Sequence, residues 1–387
     1  MKVLQVIPGL SSNFGGPSRS LLEMSKALLR AGISVEIATT NADTRGRLNV
    51  QLDVPISQGG VETRYFHSPF LTKYGFSPSL GGWLRRNIGG YDLIHLHAFF
   101  SYVTAPAAYW AGRRSVPYVL RPCGELNCRT MEKNLLVKNV FMKLLGGRFL
   151  AGAAQIHVTS DFEREGLERL GVTQRIFVIP HGFERRPETE WPPKGRFRAR
   201  YHLHEKSFLI LYLGRLDPIK GIELLIQAAA RLSREVNDFS LIIAGEGVPA
   251  YRRRLESAAE ESGLGRKIIF TGFLGEKEKV EALRDADAFV LPSRHENFGV
   301  SVVEAMSMKV PVVVSNQVGL HPDVDRYKAG FTIPLEVPAL VSAIEALGGD
   351  RSLRVSMGEN GHRLVKEELC WGKIAQRVIV MYKAAAG

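Results

Sequence analysis

The sequence predicts an α/β protein of two Rossmann-like domains in tandem, each a parallel sheet covered by helices on both faces. Short apolar segments of strand length alternate along the chain with longer segments that have helical apolar spacing. This pattern restarts after residue 207. A chain of 387 residues is also too long for one ordinary hydrophobic core. Together these observations favour two domains of somewhat under 200 residues each.

The first half supplies the elements of an N-terminal domain, which we place at residues 1–185. A glycine-rich loop from Pro8 to Gly16 lies between the first predicted strand and the first predicted helix, 18–31. Gly32 ends that helix. The predicted strands are 3–7, 35–38, 92–96 and 118–120. Alternation of this kind is typical of a parallel sheet.

The second half repeats the pattern in a C-terminal domain, placed at residues 207–365. Its predicted strands are 208–213, 241–244, 268–270, 288–291 and 312–314. Residues 186–206 between the halves are polar and basic and contain Pro187, Pro192 and Pro193. We therefore predict that 186–206 is a linker.

The net charge of +12 is concentrated in the first half of the chain. Residues 1–190 hold 23 basic and 15 acidic side chains, and the excess is densest between Arg113 and Arg148. Such a surface suits phosphate, nucleic acid or an anionic membrane, although lysines and arginines also serve solubility alone.

Several protein classes are excluded by composition. Charged residues at 23% and a mean hydropathy of −0.04 argue against disorder and against a membrane bundle. The start of the chain lacks a secretory signal pattern, since Pro8-Gly9 interrupts the first apolar segment. Three cysteines form no disulfide framework, and no His/Cys set has zinc-site spacing. We expect a cytoplasmic protein.

The stretch from Asp287 to Gly299 carries the most chemical information. A buried strand ends at Pro292-Ser293, a polar loop follows, and a helical pattern begins at Val300. A helix start offers free N–H groups to a phosphate. Glu296 and Glu304 flank that start, and carboxylates accept hydrogen bonds from sugar hydroxyls. The plainer alternative is that both glutamates are ordinary surface charges.

A second loop, from Gly214 to Gly221, also joins a buried strand to a helix. Its Arg215 and Lys220 would project beyond the same edge of the sheet. Two fixed cations there suit a diphosphate whose negative charge grows as its bond to a sugar breaks. Solvated loop charges are the alternative.

These motifs together resemble glycosyltransferase family 4, whose members have the GT-B fold. The C-terminal motifs that carry the resemblance are Gly214-Arg215, Lys220-Gly221, Thr271 to Leu274, Pro292 to Gly299, Glu304 to Met306, and Pro311 to Gly319. The N-terminal ones are Gly15-Gly16, Asp92 to His97, Thr159-Ser160 and Ile179 to Gly182. The resemblance covers nearly the whole chain and implies two domains facing across a cleft.

The resemblance also implies a role for each donor-side residue. Arg215 and Lys220 would bind the diphosphate of a nucleotide sugar, Glu304 the ribose, and Glu296 the transferred sugar. Backbone N–H groups at Phe298, Gly299 and Val300 would hold the distal phosphate, and the Gly15-Gly16 loop would close on the donor. The remaining donor-side positions are Asn297, Gly272, Phe273 and Leu274.

On the acceptor side, His97 is the leading candidate for a polar contact and is grouped with Arg215, Lys220 and Glu296 as catalytic. The segment Arg121-Pro122-Cys123 departs from the family pattern, so either Arg121 contacts the acceptor or Cys123 lines its pocket.

Similar enzymes retain the anomeric configuration and use no metal or other cofactor. The expected function is thus a retaining hexosyltransferase that uses a UDP- or GDP-sugar and a glycan or lipid-linked acceptor in bacterial polysaccharide or surface-glycan synthesis. Competing functions are a sugar-nucleotide epimerase on the same fold and a nucleic-acid-binding protein, although no nucleic-acid recognition motif is present.

Three further expectations concern metal, membrane and the end of the chain. Asp285-Ala286-Asp287 and Asp323-Val324-Asp325 have the spelling of a metal site, but their turn positions favour a structural role. Aromatic and basic residues in 67–86 and 131–150 suggest peripheral contact with the anionic inner face of the cytoplasmic membrane. The alternative is that these segments simply pack on the domain. The amphipathic segment 366–387 is expected to cross back onto the N-terminal domain.

Overall fold

The computed structural model describes residues 1–11, 14, 16–43, 46–126, 138, 140–234 and 238–387, the side chain of Leu144 excepted. The chain divides into two compact units. The first unit comprises Met1–Gly182 and Trp371–Gly387, and the second comprises Phe183–Cys370. Each unit has its own sheet of mainly parallel strands and its own core, which confirms the predicted pair of Rossmann-like domains.

The first unit is built on an eight-stranded sheet in the order β10-β9-β8-β7-β1-β2-β6-β5. All neighbouring strands are parallel except β5 and β6, which pair antiparallel at one edge. The strands are β1 (Lys2–Val6), β2 (Ser34–Thr40), β5 (Pro55–Gln58), β6 (Val61–Phe66), β7 (Leu93–His97), β8 (Tyr118–Arg121), β9 (Gln155–Val158) and β10 (Ile176–Val178), and a separate short pair is β3 (Ala42–Asp43) with β4 (Gly46–Arg47). Strands β7, β8 and β9 are buried at every residue because helices cover both faces.

Helices of the first unit lie between the strands along the chain, and the first of them corresponds to the predicted helix 18–31. They are α1 (Gly16–Arg30), α2 (Pro78–Asn87), α3 (Thr104–Arg113), α4 (Gly147–Ala151) and α5 (Asp161–Arg169), with a π-helical turn at Met142–Gly146 before α4. Helix α1 buries Leu21, Met24 and Leu28 and starts without an acidic side chain in its first turn. Its positive end is therefore not neutralised by its own sequence.

The second unit is built on a six-stranded, fully parallel sheet in the order β13-β12-β11-β14-β15-β16. The strands are β11 (Phe208–Leu213), β12 (Phe239–Ala244), β13 (Ile268–Gly272), β14 (Ala288–Leu291), β15 (Val312–Ser315) and β16 (Gly330–Ile333). The helices are α6 (Arg196–Arg200), α7 (Ile222–Leu232), α8 (Pro249–Glu261), α9 (Glu276–Asp285), α10 (Val300–Ser307), α11 (His321–Tyr327), α12 (Val337–Gly349) and α13 (Arg351–Glu367). All six residues of β11 are buried at the centre of this sheet.

The predicted linker, 186–206, is part of the second unit. Phe197 in α6 is fully buried in that unit's core. The Asp285 carboxylate accepts hydrogen bonds from the N–H groups of Gly195, Phe197 and Arg198 at 2.6, 2.9 and 3.0 Å. The prolines and charges of this segment resemble a linker, but Phe197 fixes it to the core of the second unit and Asp285 fixes it to the end of α9.

The last helix, α14 (Trp371–Ala386), belongs to the first unit. It buries Trp371, Ile374, Val378 and Tyr382 in the same cluster as Leu21. A Cβ on Gly182 would lie only 2.3 Å from the Trp371 ring, so the chain passes this ring at a position where a side chain does not fit. The apolar stripe of the final helix therefore completes the core of the first unit.

Candidate functional site

In the second unit, the carboxyl ends of β11 and β14 meet at the point where the strand order reverses. These strands are neighbours, with Ile210 opposite Ala288. The chain runs outwards from β11 to β13 on one side and from β14 to β16 on the other. The loops 214–221 and 292–299 therefore emerge side by side at this edge, which is where open α/β sheets bind their ligands.

The two loops contact each other through backbone atoms. The N–H of Arg294 donates to the carbonyl of Ile219 at 2.7 Å. Gly221 has φ +67°, and a Cβ there would lie 2.1 Å from the carbonyl oxygen of Pro292. Only glycine permits both this backbone conformation and this close approach. The loops that carry the predicted cations and carboxylate are thus held together.

Lys220 and Glu296 form a salt bridge across these loops. The Glu296 backbone is held independently of its side chain. Its N–H donates to the carbonyl of Gln317 at 3.0 Å, and its carbonyl accepts from Gly319 at 2.8 Å. The structure therefore brings two of the predicted donor-side residues into direct contact and fixes their backbone positions.

Arg215 is positioned differently from Lys220. Its side chain is 78% exposed, and the nearest carboxylate is that of Asp217 at 3.9 Å. The Arg215 backbone is fixed, because the Tyr212 hydroxyl donates to its carbonyl at 2.9 Å. The guanidinium thus extends into solvent from a rigid base, where it can rotate towards an anion.

Glu304 lies in the second turn of α10 and pairs with Lys279 of α9 at 2.6 Å. Lys279 also contacts Glu276 at 3.0 Å. Sequence reasoning missed Lys279, because a lysine in an exposed helical pattern carries no motif. Only the packing of α9 beside α10 shows that this ammonium lies next to a predicted ribose-binding carboxylate.

The start of α10 lies at the same edge of the sheet. Gly299 precedes the helix with φ +98°, a conformation that favours glycine, and the first turn contains no acidic side chain. Phe298 is buried beneath it. Asn297 lies beside His295, whose Nε2 is 3.1 Å from the Asn297 Oδ1. The N–H groups at a helix start and its positive end suit a phosphate.

Gly272 ends the edge strand β13, and Phe273 and Leu274 follow it. The carbonyl of Gly272 accepts the N–H of Gly245 at 2.8 Å, so this segment is tied to the end of β12. Leu274 is buried, whereas Phe273 is 73% exposed. An exposed aromatic ring at this edge could stack on a flat ring of a ligand.

The aspartates of the two Asp-x-Asp motifs, at 285–287 and 323–325, make contacts with other protein groups. Asp285 caps the start of α6, and Asp287 accepts from the N–H of Leu209 at 2.9 Å and from the Arg198 guanidinium at 2.8 Å. Asp323 pairs with Arg326. Among the described residues no group of three or more His, Cys, Asp or Glu is arranged to hold a metal ion.

The first unit contains a cavity of about 350 Å³ at the carboxyl ends of β1, β7 and β8. This is the reversal point of its own sheet. The cavity is lined by the start of α1, by Lys73 and Tyr74, and by Phe100, Cys123 and Glu125 among others. Gly16 is the first residue of α1, and a Cβ there would meet no other atom within 4 Å. Gly15 lies outside the described residues.

Cys123 and Glu125 have perturbed ionisation because of burial. Burial raises the pKa of the Cys123 thiol to about 11, so it stays protonated at neutral pH. Burial also raises the pKa of the Glu125 carboxyl to about 7. The sequence named Cys123 as a candidate but not Glu125, which carries no motif and is recognised only from its place in the cavity.

His97 is not at the cavity. Its side chain is 1% exposed, and its Nε2 lies 2.7 Å from the Oε1 of Gln5. Tyr382 then joins Gln5 to His95, with oxygen-to-nitrogen distances of 2.9 and 2.8 Å, and His157 lies 3.4 Å from His95. The predicted acceptor contact is corrected by this placement. The strand-end histidine belongs to a buried polar network.

Arg121 is also buried, at 3% exposure. Its guanidinium donates to the His181 ring at 3.1 Å, and it does not line the cavity. Burial, together with the positive charge of Arg121, holds the pKa of His181 well below its ordinary value. Of the two alternatives for this segment, the structure places Cys123, rather than Arg121, at the cavity wall.

Comparisons with known proteins match both units to glycosyltransferase families. Residues 15–182 match the family described as "Glycosyl transferase 4-like domain", and residues 193–364 match "Glycosyl transferases group 1". The α-D-kanosaminyltransferase of Streptomyces kanamyceticus is 34% identical over 168 residues, which is 43% of each chain. The D-inositol 3-phosphate glycosyltransferase of Xylanimonas cellulosilytica is 29% identical and covers 98% of this chain and 93% of its own.

Solved structures show the same fold at lower identity. Sucrose-phosphate synthase from Thermosynechococcus elongatus aligns with a TM-score of 0.74 and 24% identity, covering 99% of this chain and 98% of its own. Anabaena HepE, in complex with UDP and glucose, aligns with a TM-score of 0.77 and 20% identity, covering 99% of this chain and 100% of its own. The fold, family and enzyme class expected from the sequence are confirmed: the chain belongs to the family 4 glycosyltransferases, with the GT-B fold.

Proposed function

We propose that the protein is a retaining glycosyltransferase that moves a hexosyl group from a nucleotide sugar to a glycan or lipid-linked acceptor. One observation carries the proposal. Lys220, Glu296, Arg215 and the start of α10 lie together at one edge of the second sheet. A sugar diphosphate offers this edge negative charge for the cations and helix start, and hydroxyls for the carboxylate.

In the proposed binding mode, Lys220 and Arg215 contact the diphosphate, and the N–H groups at the start of α10 contact the distal phosphate. Lys220 leaves its salt bridge with Glu296 for the phosphate, and the released carboxylate binds hydroxyls of the sugar. Glu304 holds the ribose, and exposed Phe273 is available to the base. The solved neighbours described as bound to UDP, UDP-glucose or UDP-2-fluoro glucose support a UDP-sugar donor.

The proposed reaction breaks the bond between the sugar C1 and the diphosphate oxygen. The acceptor hydroxyl forms the new bond to C1 from the face that the diphosphate leaves, and its proton passes to a leaving-phosphate oxygen. Arg215, Lys220 and the dipole of α10 offset the charge that develops on the diphosphate. In this proposal no protein nucleophile, metal or further cofactor takes part.

We also propose that the acceptor is met at an anionic membrane surface on its cytoplasmic side. The described residues include no helix long and apolar enough to cross a bilayer. The first unit exposes Phe70, Leu71, Val140 and Leu145, with Lys73 and Lys143 close to them in sequence. Apolar side chains with lysines are the combination that binds the surface of an anionic bilayer. Bacterial surface-glycan or polysaccharide synthesis is the setting that fits.

The test is a thermal-shift screen across UDP-, GDP- and ADP-sugars. A ligand that binds only the folded state adds about 2.7 kcal/mol to the free energy of unfolding when its concentration is a hundred times Kd. The melting temperature rises as a result. We expect one nucleotide series to stabilise the protein and its sugar form to be slowly hydrolysed. No shift with any of them, together with salt-sensitive retention of RNA or DNA, would favour the nucleic-acid alternative. Interconversion of the donor's sugar would favour the epimerase.

A further inference from the structure

The cavity of the first unit carries an inference about the chemistry of the acceptor. It lies within one unit, at the reversal point of the sheet order, where β1 separates β2 from β7. Its volume of about 350 Å³ is at the low end of the roughly 300–1,000 Å³ typical of small-molecule sites. This space fits one sugar-sized ring.

The charges that line the cavity are unequal. Lys73 and Lys138 supply two ammonium groups, and Glu125 is the one carboxylate among the described lining residues. Pro17 and Ser18 bring in the start of α1, a helix of 15 residues without an acidic side chain in its first turn. The positive helix end adds to the two lysines. The cavity therefore favours an anionic group.

Lys73 reaches the cavity because its segment packs closely on the end of β1. A Cβ on Gly75, which has φ +62°, would lie 2.9 Å from the Cα of Pro8. The carbonyl of Tyr74 accepts the N–H of Tyr102 at 2.8 Å. Lys73 is thus carried on a short turn that is fixed at both contacts.

Glu125 is anchored to the segment that follows β7. Its Oε2 accepts the N–H of Phe100 at 2.7 Å, so the carboxyl group keeps one orientation. The Lys138 ammonium lies 5.0 Å from the centre of the Phe100 ring, and its charge favours the ionised form of Glu125. In either protonation state a carboxyl group can hydrogen-bond to a hydroxyl. A phosphate could not replace that hydroxyl beside an ionised carboxylate without repulsion.

We propose that this cavity binds the acceptor by one hydroxylated ring that carries a phosphate ester, with Lys73 and Lys138 at the phosphate and Glu125 at a ring hydroxyl. Tyr74 and Phe100 supply flat apolar surfaces for the ring's C–H face. The inference rests on the proposed function, because it names the class of acceptor for that transfer. The phosphate ester can belong to a soluble sugar phosphate or to the headgroup of a lipid.

The test uses the full chain and pairs of probes that share a ring. Calorimetry compares glucose 6-phosphate with glucose, and inositol 1-phosphate with inositol, while glucosamine serves as a cationic probe. We expect each phosphate to bind at least about tenfold more tightly than its parent, as one charge-assisted hydrogen bond typically gives. Lys73→Ala and Lys138→Ala should remove most of that preference. Lys383→Ala removes an exposed lysine of the same unit that does not line the cavity, so it should not change the preference.

Glu125→Gln should weaken phosphate and parent alike, by about fivefold, because the hydroxyl is common to both. Binding to lipid vesicles shows whether the ring belongs to a lipid headgroup or to a soluble sugar phosphate. Tighter binding to phosphatidylinositol than to phosphatidylglycerol vesicles, reduced by Glu125→Gln, assigns the ring to a lipid. The inference is overturned if parents and phosphates bind equally and both vesicles bind equally, if glucosamine binds most tightly, or if both cavity-lysine variants keep the full preference.

Donor binding separates this inference from the proposed function. UDP and GDP are expected to bind the second unit, so none of the cavity variants should change their affinity. A protein that binds a nucleotide sugar but shows no preference for phosphate probes keeps its proposed function and loses this inference. A protein that binds no nucleotide sugar loses the proposed function, whatever the probes do.

Discussion

The Lys220 ammonium forms a salt bridge with the Glu296 carboxylate, which is 76 positions away in the sequence. Both side chains are largely buried, at 15% and 22% exposure. A ligand that brings a diphosphate and a sugar to this edge offers each partner a new contact of the same kind. The salt bridge therefore holds both side chains at the site and pairs both charges until a ligand binds.

We predict that Lys220→Ala and Arg215→Ala each lower kcat by about a hundredfold or more, as removal of a charge-stabilising donor typically does. The fold should survive, since both residues lie in a loop and Arg215 is exposed. Steady-state rates with saturating donor, together with thermal melting, measure this. Lys277→Ala and Arg253→Ala remove exposed cations of the same unit and serve as controls. Wild-type rates in either loop variant would contradict the assignment.

Substitutions of Glu304 and of Glu296 should weaken the binding of different ligands. Glu304→Gln should weaken the intact donor and the free nucleoside diphosphate by similar factors, about tenfold, because it is assigned to the ribose. Glu296→Gln should mainly weaken the intact donor. Calorimetry with both ligands measures the difference, and the reverse pattern would show that the roles are exchanged.

Lys279 supplies a control for the Glu304 prediction, because Glu304→Gln also breaks the Lys279 pair. Lys279→Met breaks the same pair but keeps the carboxylate. If Lys279→Met weakens the nucleotide as much as Glu304→Gln does, the ion pair rather than a direct contact with ribose explains the loss.

Activity is expected to persist in excess EDTA. Arg215, Lys220 and the start of α10 are assigned the charge stabilisation that a metal would otherwise provide. Asp285→Ala should lower the melting temperature, because three backbone N–H groups lose their acceptor. It should leave the response to EDTA unchanged. Loss of activity in EDTA that magnesium or manganese restores would disprove this and return the aspartate pairs to consideration.

The sequence predicted the features that depend on local pattern. Strand and helix periodicity located both sheets, and glycine-containing loops after β11 and β14 located the loops around Lys220 and Glu296. Residues whose role depends on packing could not be identified from the local sequence pattern. Lys279 and Glu125 sit in ordinary helical or loop contexts, and only the fold brings them to Glu304 and to the cavity.

The burial of His97 and of Arg121 has one physical origin. His97 and Arg121 each end a buried strand, where Rossmann-like folds carry ligand-binding residues. Side chains alternate between the two faces of a sheet, and the final residue of a strand can point into the core. Here Gln5 and His181 provide partners inside the unit, and the position of those partners is not encoded near His97 or Arg121 in the sequence.

Four imidazoles with lowered pKa values predict loss of stability in acid. His95, His97 and His157 are buried, and His181 is partly exposed. Burial holds each pKa well below 6.5, so below that pH the unfolded chain binds protons that the folded chain does not. The free energy of unfolding should fall as the pH drops below about 6.5, by up to about 1.4 kcal/mol per pH unit for each histidine.

Glu125 acts in the opposite direction. Its pKa is raised from 4.5 to about 7, so between these values the folded state holds the extra proton and acid stabilises it. One carboxyl opposes four imidazoles, and the net effect is acid lability. Chemical denaturation from pH 8 to 5 measures the slope. His157→Asn should reduce it by about one proton, while His204→Asn, at an exposed position in the second unit, should not. A slope unchanged by His157→Asn would contradict the prediction.

The last prediction concerns α14. Its buried face lies in the same apolar cluster as α1, and the Tyr382 hydroxyl lies 2.9 Å from Gln5 and 2.8 Å from His95. A chain that ends at Glu367 should therefore expose the apolar surface of the first unit and lose both solubility and activity. Sedimentation after expression, binding of a hydrophobic dye and transfer assays measure these losses.

Two single substitutions test the same helix without truncation. Val378 is fully buried and Val380 is 61% exposed. Val378→Ala removes two methyl groups from the core and should cost about 1–3 kcal/mol, whereas Val380→Ala should stay within about 0.5 kcal/mol of the wild type. Both changes have the same effect on helix propensity, so the difference between them isolates burial. Equal stabilities, or a soluble and fully active truncated chain, would show that α14 adds little to the first unit's core.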